Sequence, residues 1–106
     1  IVSMVNGCEF CTSVHARRFV ELTGDEATMQ RILDHGWQDE PDARRAAICR
    51  FAEALTRDPS AVTAADLAPL RAVGLGDLEL LDLIHGIAMF ANANRLMLSL
   101  GDPILP

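Results

Sequence analysis

Asn6-Gly7-Cys8-Glu9-Phe10-Cys11-Thr12-Ser13-Val14-His15 is the stretch from which the rest of the chain can be read. Two thiols stand with two residues between them, and an imidazole follows the second by four positions. A helix beginning at Asn6 turns about 100° per residue and gathers Cys8, Cys11 and His15 within a ~60° arc of one face. The local signals agree with that start. Asn6 is a good N-cap, and Glu9, three positions on, completes a capping-box pattern with Asn in the usual Ser/Thr place. A thiol at a helix N-terminus meets unpaired N–H groups and the positive end of the dipole, which favour thiolate over thiol. The expectation is a helix that carries a redox-active dithiol, Cys8 and Cys11, with His15 as its acid/base partner.

Outward from this segment, helix follows helix. Residues 8–22 continue the stripe as Cys8, Cys11, His15, Phe19 and Leu22, so the reactive face is expected to point toward the core, and Thr23-Gly24 ends it. Asp25 caps a second helix over 26–35, with Met29, Ile32 and Leu33 inward and Gly36 as its stop. A loop through Trp37 and Asp39 leads to Pro41, a favoured first-turn residue. The third helix, 41–57, buries Ala47, Ile48, Phe51, Ala52 and Leu55 before Asp58-Pro59. Thr63 caps a short fourth segment ending at Gly74, in which Pro69 bends the helix or delays its regular part. Asp77 caps the longest helix, 77–100, which stops before Gly101 and Pro103. No stretch alternates in the manner of a strand, and there is no repeat or low-complexity segment. The expected fold is all-α. Residues 1–5 are apolar, do not begin with Met and read as the end of a helix, so the chain is expected to be a single domain lacking upstream helices.

The last helix is apolar around most of its circumference, the pattern of a buried central helix or of one lying between subunits. Gly86 in its middle costs about 1 kcal/mol relative to Ala unless another backbone approaches there. Polar His85, Asn92, Asn94 and Arg95 interrupt the apolar surface. His85 and Asn92 share a face and could line a pocket; the plainer alternative is that these residues hydrogen-bond helix ends or face solvent.

Composition narrows the function classes. A length of 106 residues suits one domain with a real core, and 50% hydrophobic residues argue against disorder. A net charge of −6 argues against a nucleic-acid groove, which needs clustered Lys and Arg. No apolar run approaches the ~18–20 residues of a membrane span, and no signal peptide is visible. Three cysteines make an odd count, unsuited to a secreted disulfide framework, and point to a cytoplasmic protein.

The thiols admit more than one chemistry. An unperturbed thiol is only about 3% ionised at pH 7, and a helix N-terminus supplies roughly 0.3–1 kcal/mol toward ionising it. The dipole fades within the first turn and favours Cys8, whereas His15 is better placed for Cys11. Zinc is a rival: Cys8, Cys11 and His15 offer three ligands, but a closed site needs a fourth, and only Cys49, His35, His85 or an acidic residue is on hand. Inert core filling is another reading. Cys49, among Ala47, Ile48 and Phe51, reads as ordinary core. Trp37 is expected to pack against a neighbouring helix or subunit, and Asp39, Glu40 and Asp42 to form a solvated helix start.

The pattern Asn-Gly-Cys-x-x-Cys-x-x-x-His, followed by a helical hairpin and a long helix with Asn92-Ala93-Asn94-Arg95-Leu96, resembles the carboxymuconolactone decarboxylase-like superfamily. Within it the chain is most similar to the AhpD-like alkylhydroperoxidases, over essentially its whole length. The resemblance implies an all-helical subunit assembled into homo-oligomers such as trimers or hexamers. It also implies reduction of a hydroperoxide substrate, with Cys11 the attacking cysteine, Cys8 the resolving one and His15 the proton relay, and with no cofactor. A further relay glutamate of the family falls upstream of Ile1. The implied redox partners are a dithiol or lipoyl-bearing reductant and a peroxiredoxin. Decarboxylase members generally lack the cysteine pair. A metal-containing or lactone-type enzyme and a non-catalytic oligomeric scaffold remain the alternatives.

Overall fold

The computed structural model describes residues 1–104, and within them every regular element is helical. The chain runs α1 (Val2–Asn6), α2 (Glu9–Thr23), α3 (Glu26–His35) and α4 (Ala43–Arg57). Two 3-10 turns (Pro59–Ala61, Ala64–Leu67) then lead to α5 (Ala68–Ala72) and α6 (Asp77–Leu100). The core forms where α1, α4, α5 and α6 meet, around Val2, Ala47, Phe51, Ala52, Leu70, Leu75, Leu80 and Ile87. α2 packs on α1 and α3 and lies outside that cluster. The Cα radius of gyration is 14.2 Å, larger than the ~13 Å expected for a compact domain of this length.

Punctuation residues act where the backbone needs them. Gly24, at φ 70°, ends α2, and Asp25 then accepts a hydrogen bond from the Thr28 N–H to start α3. The third predicted helix begins two residues late. Asp42 is its N-cap, accepting from the Arg45 N–H at 2.7 Å, which leaves Pro41 outside the helix. Pro69 does delay regular helix. A 3-10 turn follows Thr63, and α5 begins only at Ala68, with proline in its first turn, where the missing N–H costs nothing. Asp77 is not the cap of α6: Gly76 holds that position, and the Asp77 carboxylate pairs with Arg71 at 2.8 Å.

Burial is uneven on α6 and at the start of α4. The last helix is not buried all round. Leu80, Ile87 and Asn94 form its one buried seam, while Leu78 is 78% and Met89 59% exposed. An apolar helix of this length needs partners on every side to be covered, and α1 and α4 supply only one. No backbone approaches Gly86: nothing lies within 4 Å of where a Cβ would stand. The acidic start of α4 is not uniformly solvated either. Glu40 is buried, its carboxylate taking ion pairs from Arg31 and Arg45 and a hydrogen bond from the Asp42 N–H at 3.0 Å. Trp37 packs as expected and donates its indole N–H to Glu53 of α4 at 2.8 Å.

Candidate functional site

The helix of the dithiol does not begin at Asn6. Residues 2–6 are already helical, and Asn6 is the last residue of α1. Gly7, at φ 73° and ψ 24°, takes the left-handed conformation that only glycine adopts without cost, and the chain turns. Its N–H bonds the Met4 carbonyl at 3.2 Å and the Cys8 N–H bonds the Ser3 carbonyl at 2.9 Å, the paired bonds of a Schellman turn. Cys8 is then extended (φ −89°, ψ 96°) and serves as N-cap of α2, its sulfur accepting from the Cys11 N–H at 3.4 Å. The capping box expected of Asn6 and Glu9 does not form: Glu9 is the first residue of α2, and the Cys8 sulfur fills the capping role expected of the Asn6 amide. That amide is engaged elsewhere, donating to Asn94 at 3.0 Å.

The structure brings Cys8 and Cys11 together as a disulfide, with Cα atoms 5.3 Å apart. Both are buried, Cys8 at 2% and Cys11 at 6% exposure. Cys8 as N-cap and Cys11 in the first turn lie where unpaired helix N–H groups favour sulfur anions once the bond is reduced. The third thiol, Cys49, is equally buried but sits inside α4 with no such donors, and burial pushes its pKa up. Burial alone therefore does not distinguish the cysteines. Position relative to a helix end does.

His15 lies one turn beyond Cys11 but departs from the predicted core-facing stripe. It is exposed, as is Leu22, and its ring meets Phe90 of α6 edge-on with centroids 4.4 Å apart. That contact marks the rim of a cavity of about 480 Å³ with walls from α1, α2, α3, α4 and α6, among them Met4, Phe19, Ile48 and Leu83. Thr12 and His15 line it; Cys8 and Cys11 do not. From α2 the cavity is lined by Thr12, next to Cys11 in sequence, and by His15, Ala16 and Phe19, while the dithiol lies outside its lining.

Of the polar residues on α6, His85, Asn92 and Arg95 are exposed and do not line this cavity. Asn94 alone turns inward. It is completely buried, and its amide donates to the Ser3 hydroxyl at 3.0 Å while its oxygen accepts from Asn6. A signal for this was present: Asn94 continues at seven-residue spacing the seam of Leu80 and Ile87, so the same helix face must bury it. Among the described residues, no group of three or more His, Cys, Asp or Glu side chains is arranged to hold a metal ion. No helix among them is long and apolar enough to cross a membrane. The chain matches no protein-family model and no curated protein.

Proposed function

We propose that the chain is a thiol-dependent peroxidase, similar to the AhpD-like alkylhydroperoxidases, that reduces hydroperoxides by cycling Cys8 and Cys11 between dithiol and disulfide. The observation that carries this reading is the disulfide at the first turn of α2, the helix that also lines an apolar cavity with Thr12 and His15. Its chemistry closes without a cofactor. The Cys11 thiolate attacks the terminal peroxide oxygen, the O–O bond breaks, and the alkoxide leaves as the alcohol with a proton relayed by His15. Cys11 is then a sulfenic acid. Cys8 attacks its sulfur, the S–S bond forms, and the oxygen departs as water. A dithiol reductant, such as a lipoyl group, returns two electrons and two protons and is itself released as a disulfide.

The division of labour follows from position. His15 follows Cys11 by one helical turn, and Thr12 and His15 line the cavity. Cys8 lies at the helix start, where the Cys11 N–H already reaches its sulfur. The apolar walls suit the organic group of an alkyl hydroperoxide better than water-like hydrogen peroxide.

Thiol titration tests the reading. Peroxide should remove two of the three free thiols of the reduced protein, mass mapping should find them as Cys8–Cys11, and a dithiol should restore both. An unchanged thiol count after peroxide overturns it. The same reading includes a homo-oligomer, a trimer or hexamer, in which the exposed apolar residues of α6 (Leu78, Leu81, Met89, Leu98) meet another subunit. Light scattering at micromolar concentration should then give a multiple of the 11.5 kDa subunit, and a stable monomer counts against it.

A further inference from the structure

We propose that Asn94 is a positioning residue for the dithiol: its buried carboxamide holds the Schellman turn that presents Cys8 to Cys11. The inference rests on the reading of those two cysteines as a cycling pair. The turn is closed by two backbone bonds, Gly7 N–H to the Met4 carbonyl and Cys8 N–H to the Ser3 carbonyl. Asn94 reaches across from α6 and grips the segment at two points. Its Nδ2–H donates to Ser3 Oγ at 3.0 Å, and its Oδ1 accepts from Asn6 Nδ2 at 3.0 Å. Ser3 is thereby tied twice, by its carbonyl to Cys8 and by its hydroxyl to Asn94.

A purely structural account would favour an apolar side chain here. Asn94 continues the Leu80–Ile87 seam and has 0% exposure, so a leucine would satisfy the helix face without the cost of burying an amide. Two neutral hydrogen bonds add little net stability over such a replacement. What they supply is direction: they fix Ser3 and Asn6, and through them the φ and ψ of the two residues that lead into the first sulfur. The disulfide needs Cβ vectors that converge, and a turn held in one conformation raises the effective concentration of Cys8 at Cys11.

The test is the thiol–disulfide equilibrium of the full chain in glutathione redox buffers, with no peroxide present. The Cys8–Cys11 fraction is read by mass mapping after acid quench and alkylation. Each closure oxidises two thiols, releases two protons with the two electrons, and converts one glutathione disulfide into two glutathione thiols. Asn94→Leu should shift the equilibrium about tenfold toward the dithiol, about 30 mV in potential, while helical circular dichroism is kept. Asn6→Ala should shift it the same way, and the double variant should shift it no further than Asn94→Leu alone. A folded Asn94→Leu protein whose equilibrium stays within about twofold of the parent overturns the proposal. If Asn94→Leu does not fold, Asn6→Ala decides by the same limit. Because peroxide is absent, a protein that shows the shift but consumes no peroxide refutes the peroxidase reading alone, and the reverse result refutes only the role of Asn94.

Discussion

Two turns of this molecule are held by opposite means. The Gly7 turn between α1 and α2 is fastened by neutral groups: the Ser3 hydroxyl, the Asn6 and Asn94 amides, and the Cys8–Cys11 bond. The loop between α3 and α4 is fastened by charge. There Glu40 is clasped by Arg31 and Arg45, and Glu53 takes the Trp37 indole N–H at 2.8 Å and Arg57 at 2.8 Å. The difference lies in where charge is committed. No ionised side chain takes part in fastening the first, so a thiolate formed there is met by helix N–H groups and not by a fixed countercharge. The second already commits its charges to holding the backbone.

The largest effect expected follows from placing all chemistry at the first turn. Cys11→Ser should abolish peroxide consumption. Cys8→Ser should still consume one equivalent and trap a sulfenic acid on Cys11. Glu40→Gln should leave the single-turnover rate unchanged, since its carboxylate bonds only Arg31, Arg45 and the Asp42 N–H. If Cys11→Ser still consumed one equivalent while Cys8→Ser consumed none, the helix end and not the imidazole would select the nucleophile.

Next in size is His15→Ala, which should keep both thiols and the disulfide but slow single-turnover oxidation about 10²–10⁴-fold, as loss of a proton relay does. Stopped-flow oxidation of the reduced variant measures this. A rate within a few-fold of the parent would make His15 only a packing partner of Phe90.

The smallest effects belong to the charged turn and appear in stability. Glu40→Gln removes a buried carboxylate accepting from two guanidinium groups and should lower unfolding free energy by roughly 1–3 kcal/mol in denaturant melts. The pH dependence has a definite sign. Burial raises the Glu40 pKa, but the bonds from the Asp42 N–H, Arg31 and Arg45 outweigh it, and the net value lies below the ordinary 4.5. Arg57 and Trp37 lower that of Glu53 likewise. A depressed folded value contributes stability present above about pH 4.5 and lost as pH falls through the folded pKa. Acid should therefore weaken the parent more steeply than Glu40→Gln between pH 5 and the folded values. Equal slopes would show that the clasp is not ionic in effect.

The legible part of this protein is what local chemistry dictates. Apolar periodicity and the Gly, Pro, Asp and Thr punctuation were enough to read an all-α chain, the span of α3, the ends of α4 and α6, and the delay at Pro69, because helix caps and breakers act over a few residues. The two cysteines announced themselves by spacing in the same way. Tertiary structure decided the rest. Asn6 looked like a cap because its neighbours allow one, yet Asn94, 88 positions away, claims its amide, and sulfur caps the helix instead. Glu40 looked solvated because exposure is a property of what folds over a residue, and here Arg31 and Arg45 do. His15 and Leu22 share a helix stripe with the buried cysteines but stay exposed, His15 meeting Phe90 of α6 only edge-on. A sequence pattern assigns a face to a helix, but only packing determines whether anything lies against it.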